Sequence, residues 1–166
     1  AIVTAVHSSH RYITGRQLHD KAISVLDTAA ARVALTQNAQ PVKLDQLKAQ
    51  QHNLNLELQI VENEHTHFPI HHDRIQNLNE KIHALTTDIV ATEAQWHREL
   101  SLVNRIKVIE AEENKQQSHH DELKQIREEL SALQGHHPLV FERVNAHIIN
   151  EIISDWTGIP VGKMVN

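Results

Sequence analysis

The longest regular pattern in the chain lies between residues 73 and 110, where apolar residues recur at alternating steps of three and four. This spacing keeps one apolar stripe facing a partner helix. No proline or glycine interrupts it, so it predicts a single helix of about 38 residues, roughly 57 Å long. Thr92 and Glu99 are the two polar lapses. The stripe consists of Ile75, Leu78, Ile82, Leu85, Ile89, Trp96, Val103 and Ile106.

Two shorter heptad segments flank this helix. The first follows Pro41, has a polar lapse at Gln51 and ends before Pro69, which disfavours helix at Phe68. The second ends at Gly135, a residue common just past a helix C-terminus. Their seams are Leu44, Leu47, Leu54, Leu58 and Val61, and Leu123, Ile126, Leu130 and Leu133. The relative lengths predict an antiparallel rod with two arms, in which the long helix overshoots the first.

The two ends of the chain predict shorter elements. We expect a helix over residues 1–10, a second helix over 18–38, a short strand over 139–144 and a last helix capped by Asn145 and stopped by Gly158. The expected apolar faces are Ile2, Val3 and Val6; Ala22, Ile23, Leu26, Ala30, Val33 and Ala34; and Ile148, Ile149, Ile152, Ile153 and Trp156. Neither end can bury its apolar face alone, so the ends should pack together. The predicted fold is mainly α, a small helical domain interrupted by the two-armed coiled coil.

Composition narrows the functional classes. Aromatic residues make up 3% of the 166 residues, which suits long helices better than a thick core. A net charge of −5 argues against nucleic-acid binding. No apolar run reaches the roughly 18 to 20 residues of a membrane span. The chain has no cysteine and begins at Ala1 without an initiator Met, so we expect a piece of a longer protein.

The motifs for chemistry are sparse. The glycine and lysine at Gly162 and Lys163 lack the spacing and the following Ser or Thr of a phosphate loop, and no zinc helix or nucleophile elbow is present. The sequence therefore predicts no catalytic residue and no metal site. Fifteen histidines leave one alternative open, because imidazole is a common ligand of zinc and nickel. The candidate ligands lie at the predicted rod tip: His65, His67, His71 and His72.

Two stretches resemble a known family. The run SHRYITGRQLHDKAI at residues 9–23 resembles the "RYI-x-x-R-x-L-P-D-K-A" segment of Clp-type AAA+ unfoldases, which lies in the small lid domain of their first ATPase module. The run DWTGIPV at residues 155–161 resembles the entry to their second module. ClpB-type members insert a coiled-coil middle domain between them. The run VLDTAAARVALTQ at residues 25–37 is similar to the ClpV branch.

The resemblance implies a bacterial cytoplasmic protein that works as a homo-hexamer with ATP and magnesium. ClpV proteins dismantle contracted type VI secretion sheaths, so sheath proteins would be the clients. The alternatives are a general ClpB disaggregase or, in another class, a free-standing histidine-rich coiled-coil adaptor. The implied division is lid over 1–40 and 136–156, coiled coil over 41–135, and a linker into the second module over 157–166.

The resemblance also implies nucleotide-adjacent residues. Those matching the first module are Ile13, Leu18, Asp20 and Lys21, and those matching the adenine pocket of the second are Ile159 and Val161. His19 departs from the family's usual proline, so the start of the second helix differs from the family pattern. Because the Walker motifs are absent, we expect no ATP hydrolysis by this fragment and no cofactor bound to it.

Overall fold

The computed structural model describes residues 1–12, 18–112 and 116–163, and within these ranges the chain is helical without a strand. The mainly α fold is therefore confirmed. The helices are α1 (Ile2–Tyr12), α2 (Leu18–Asn38), α3 (Val42–His67), α4 (His72–Ala111), α5 (Gln117–Gln134) and α6 (Ala146–Thr157). A 3-10 turn, Val161–Lys163, follows α6. In these residues no helix is both long and apolar enough to cross a bilayer.

The base of the molecule consists of α1, α2 and α6, which come from the two ends of the chain. All three pairs of these helices contact each other. Asn145 caps α6 as expected, because its side chain accepts a hydrogen bond from Ile148 N at 3.0 Å. The core of the base is formed by Ala5, Val25, Ala29, Val33, Phe141, Ile148, Ile149, Ile152 and Ile153. The two ends therefore share one core.

The rod consists of α3, α4 and α5. Helix α4 packs against α3 along its first half, which we call the α3 arm, and against α5 along its second half, which we call the α5 arm. At 40 residues α4 is slightly longer than predicted, and it overshoots the 26-residue α3. Helix α3 ends at His67, before extended Phe68, as expected for a residue that precedes proline. The two-armed arrangement follows from these lengths.

Two predicted apolar faces in the base are only partly correct, although Ala22, Leu26 and Val33 of α2 are buried or half-buried as predicted. In α2 the buried residues include Val25 and Ala29, whereas Ile23 is 44% exposed and Ala30 and Ala34 face outward. The stripe that contacts α1 and α6 runs through Ala22, Val25, Ala29 and Val33, which recur at helical spacing. In α1 Ala5 is buried and Ile2 and Val3 are exposed. Small residues allow close packing here, which a hydrophobicity pattern underrates.

The predicted strand at residues 139–144 is also wrong. This segment has no regular secondary structure and no neighbouring strand among the described residues, and side chains bond to its backbone groups instead. We call residues 139–142 the strap, because they run between the rod and the base. Phe141 N donates to Thr36 Oγ1 at 3.1 Å, and Gln37 Nε2 donates to Phe141 O at 2.6 Å. Alternating apolar residues therefore reflect insertion into two cores rather than sheet pairing.

Candidate functional site

The predicted nucleotide-adjacent residues lie at the ends of two helices of the base. Ile13 is outside the described residues, and for Leu18 the described part is its backbone, which starts α2. Asp20 is exposed and Lys21 is half-buried in the first turn of α2. Among the described residues, no hydrogen bond or ion pair joins these two side chains to residues 159–161. The nucleotide role of the α2 residues therefore stays a prediction.

The other nucleotide-adjacent residues follow the end of α6. Gly158 has φ 71°, in the left-handed region that glycine adopts without strain, and its N–H donates to Ser154 O at 2.8 Å. Ile159 N then donates to Thr157 Oγ1 at 3.2 Å. The turn ends α6 before Ile159 and Val161, and both of these residues are half-buried. Their partial exposure leaves apolar surface open, and their role at an adenine ring stays a prediction.

The seam residues of the α3 arm differ in burial. Val61, Leu78, Leu85 and Ile89 are buried. The half-buried members of the predicted seam are Leu54, Leu58, Ile75, Ile82 and Trp96. Val103 is fully buried in the α5 arm. The lapse at Gln51 is accommodated because its amide donates to Thr86 Oγ1 across the two helices at 3.0 Å.

The predicted polar lapse at Glu99 occupies the junction between the rod and the base. Its side chain is 0% exposed and accepts hydrogen bonds from three elements. Oε1 accepts from Leu139 N at 2.9 Å and from Val140 N at 3.1 Å, both in the strap. The amide of Gln134 in α5 also donates to Oε1 at 2.8 Å, and that of Gln95 donates to Oε2 at 2.8 Å. These four donors satisfy a buried carboxylate without a cation.

Sequence reasoning missed Glu99 as a candidate site residue, although it recorded the position as an interruption. A carboxylate at a seam position is costly unless it is hydrogen-bonded, so its presence there was a usable signal. The donors could not be identified, because Leu139 and Val140 are 40 and 41 residues away along the chain. Only the fold brings their amides to α4.

A second set of contacts reinforces the junction at the surface. Arg127 of α5 contacts Glu142 of the strap through Nε at 2.9 Å and Glu110 of α4 through NH2 at 2.6 Å. Partial burial lowers the pKa of the Arg127 guanidinium, but hydrogen bonds to Glu142 and Glu110 and their charges outweigh it, so the pKa is raised. Lys107 donates to Gln37, which links α4 to α2. The strap is therefore held from both sides.

An open cleft of about 440 Å³ lies where α3 leaves the base. The residues that line it include Leu35, Pro138, Phe141 and Lys43, together with Arg32 and Asp155, which form an exposed ion pair. The cleft has walls from the base, the strap and the start of the rod. Its shape therefore depends on how these three parts are placed relative to one another.

Three of the four candidate histidines at the rod tip make local contacts, and the fourth, His72, is exposed. His65 Nδ1 accepts from His71 N at 3.3 Å, and His71 Nε2 lies 3.4 Å from Glu64 Oε2. His67 Nδ1 lies 3.0 Å from Asn63 O. Within the described residues no three His, Asp or Glu side chains are arranged to hold a metal ion. The geometry gives no support to the zinc or nickel alternative.

Comparison with known proteins gives a family match for the first half of the chain and relatives that align with nearly all of it. Residues 1–79 match the family described as the AAA lid domain. The chain is 38% identical to the chaperone protein ClpB of Yersinia enterocolitica over 176 residues, which cover 99% of this chain and 20% of that protein. It is 32% identical to the AAA+ ATPase ClpV1 of Pseudomonas aeruginosa over 187 residues, covering 99% of this chain and 21% of that protein.

A further relative is the chaperone protein ClpB of Propionibacterium freudenreichii, 33% identical over 188 residues that cover 99% of this chain and 22% of that protein. The similarity thus extends over the base, the strap and the rod. The chain spans about a fifth of the length of these curated relatives. Relatives named ClpB and ClpV1 both match at this level, so the comparison does not separate the two branches.

Proposed function

We infer that this chain is a fragment of a ClpB-type AAA+ protein. The match of residues 1–79 to the AAA lid domain and the similarity of nearly the whole chain to ClpB and ClpV1 support this inference. We propose the same division as the sequence indicated. Residues 1–40 and 136–156 form the lid, residues 41–135 form the coiled-coil middle domain, and residues 157–166 lead into a second ATPase module.

The fragment acts as a regulatory and structural part of a hexameric, ATP-driven protein unfoldase. The lid moves with the nucleotide state of its module, and the rod carries that movement to neighbouring subunits. The observation that carries this proposal is the strap, which inserts Val140 into the core of the α5 arm and Phe141 into the core of the base. A rigid link of this kind is what transmission requires, because packed cores shift as units.

The parent protein, on this proposal, binds ATP with magnesium in the bacterial cytoplasm. Ile13, Leu18, Asp20 and Lys21 lie beside the first nucleotide, and Ile159 and Val161 line the second adenine site. Exposed Asp20 and half-buried Ile159 and Val161 are accessible for such contacts. On this proposal the fragment supplies residues at the edges of the two nucleotide sites, and the Walker motifs belong to other parts of the parent.

A transplant experiment tests the proposal. The matching segment of Yersinia enterocolitica ClpB is replaced by residues 1–166, and the nucleotide-stimulated assembly and the ATPase rate of the chimera are measured. We expect both to be retained, and we expect Ile159→Asp with Val161→Asp to weaken nucleotide binding without loss of helicity. A folded chimera that neither assembles nor hydrolyses ATP would overturn the proposal.

Within this family we propose the ClpV branch, whose members dismantle contracted type VI secretion sheaths. The run at residues 25–37 supports this branch. The general ClpB disaggregase is the alternative, and a pair of chimeras separates them. Residues 1–166 placed in ClpV1 of Pseudomonas aeruginosa should retain disassembly of purified contracted sheaths, whereas the ClpB chimera should lose reactivation of aggregated luciferase. The opposite pattern would favour the disaggregase.

The alternative of a free-standing adaptor predicts an open reading frame that begins and ends close to residues 1–166. The unfoldase proposal requires a G-x-x-x-x-G-K-[ST] motif upstream of Ala1 and another downstream of Asn166. Sequencing the parent gene on both sides decides between them. Start and stop codons that bracket residues 1–166 would leave the adaptor as the explanation.

A further inference from the structure

The buried carboxylate of Glu99 has a position that the proposed transmission role does not by itself explain. Burial of a carboxylate without a cation is costly, and an apolar residue would continue the heptad seam at this point. The strap offers a reason for the carboxylate, because two of its consecutive amides, Leu139 N and Val140 N, point at Oε1. An apolar side chain would leave both amides without an acceptor.

The contacts of Glu99 form a continuous path from the rod to the base. Glu99 in α4 holds Val140 N, and Gln134 in α5 donates both to Glu99 Oε1 and to Val140 O at 2.6 Å. The next residue of the strap, Phe141, is tied to α2 by Thr36 and Gln37. The rod and the base otherwise bury separate apolar cores. The strap is thus held on one side by Glu99 and on the other side by α2.

We propose that Glu99 is a positioning residue that fixes the angle between the rod and the base. Its two backbone partners set where the strap crosses α4, and the strap in turn sets where Phe141 enters the base. Removal of the acceptor loosens the strap, which stays attached to the rod through Val140 and the Arg127–Glu142 pair, while the two cores keep their own apolar contacts. The rod and the base then remain folded but lose their fixed relative orientation.

The consequence for transmission rests on the proposed function, but the orientation itself can be measured on this chain alone. The sequence contains no cysteine, so two spin labels can be placed without removing any native residue. Asp27→Cys on α2 and Asn79→Cys on α4 are exposed sites in the base and in the α3 arm. Pulsed electron paramagnetic resonance then gives the distribution of distances between base and rod.

We expect a narrow distribution in the wild type and in Glu99→Gln, because a glutamine oxygen still accepts from the strap amides. In Glu99→Leu the distribution should broaden about twofold, since the shape is similar but the acceptor is lost. Glu128→Leu is the matched control, because Glu128 is an exposed glutamate of α5, and it should leave the distribution unchanged.

A second label pair inside the rod, Gln59→Cys with Asp88→Cys, distinguishes loss of orientation from loss of structure. These exposed sites lie on α3 and α4, and their distances should not change in Glu99→Leu. An unchanged distribution between base and rod in Glu99→Leu would overturn the proposal. Equal broadening of both label pairs would also overturn it, because Glu99 would then support general stability. A chain that passes this test while its chimeras lack ATPase activity would refute the proposed function but not the positioning role.

Discussion

The two arms of the rod share α4 and the same heptad spacing, yet they bury their seams to different extents. In the α3 arm the apolar cluster of buried residues is small and consists of Leu44, Leu85 and Ile89. In the α5 arm the buried cluster is larger and consists of Leu102, Val103, Ile106, Ile109, Ile126, Leu130 and Val140. In an arm of only two helices, each helix covers one side of the seam, so the residues at the edges of the seam stay partly exposed. The strap adds a third element to the α5 arm, and this closes the seam.

The polar contacts of the two arms differ in the same way as their apolar clusters, because those of the α5 arm are more buried. The α3 arm has exposed ion pairs, Lys48 with Glu93 at 3.0 Å and Arg74 with Glu57 at 2.9 Å. The α5 arm also has exposed pairs, Arg98 with Glu129 and Arg105 with Glu122, but it adds the buried network of Glu99 and the half-buried group around Arg127. Exposed pairs contribute little to stability, whereas buried networks specify one arrangement. The α5 arm therefore belongs with the base, and the α3 arm extends from it.

The largest expected effect comes from placing charge in the thinner seam. Leu85→Asp combined with Ile89→Asp puts two carboxylates at buried positions between α3 and α4, where a charge is poorly solvated. We expect the α3 arm to lose helix while the base and the α5 arm stay folded. Far-UV circular dichroism measures the loss. Val90→Asp is the control, because Val90 is 61% exposed on the same helix. Unchanged helicity of the double variant would contradict the seam assignment.

Truncation of one isoleucine in each arm compares their packing directly. Ile106 is 1% exposed in the α5 arm, so Ile106→Ala should lower the free energy of unfolding by about 2–5 kcal/mol. Ile82 is half-buried in the α3 arm, so Ile82→Ala should cost only about 1 kcal/mol. Urea unfolding followed by circular dichroism gives both values. Equal losses would show that the strap adds no packing to the α5 arm.

Removal of one cation in each arm compares their ion pairs. Arg127→Met leaves Glu110 and Glu142 without their shared partner, and we expect a loss of about 1–3 kcal/mol. Lys48→Met breaks a more exposed pair and should cost less than about 1 kcal/mol. Unfolding in low and high salt measures both losses, and the difference should persist in high salt. A larger loss for Lys48→Met would reverse the comparison.

The smallest effect is expected at Trp96, where the two arms meet. Trp96 packs against the clusters of both arms, and its Nε1 is buried without an acceptor in the described part of the chain. Trp96→Phe removes this unsatisfied donor together with some apolar volume, and the two effects oppose each other. We expect the free energy of unfolding to change by less than about 1 kcal/mol. A much larger loss would mean that a bound water satisfies the indole.

The sequence predicted correctly those features that depend only on residues close together in the chain. Proline, glycine and capping signals located the ends of α3, α5 and α6 to within a few residues, because they act on the backbone locally. The face of α2 was placed only in part: Ala22 and Val33 are buried as predicted, but the buried Val25 and Ala29 were missed. The strand at residues 139–144 was predicted wrongly because alternation does not reveal whether a partner strand exists.

The amino-acid sequence by itself determined that the chain forms long helices, that α4 exceeds its partners, and that the two ends must share one core. These properties follow from helix periodicity, from chain length and from the need to bury apolar faces. The tertiary structure decided what Glu99 does. Its acceptor atoms meet donors that lie far away in the sequence, and a carboxylate that reads as an interruption of a seam becomes the residue that holds the strap. Hydrogen bonds between distant residues require the fold before they can form, so no local pattern contains them.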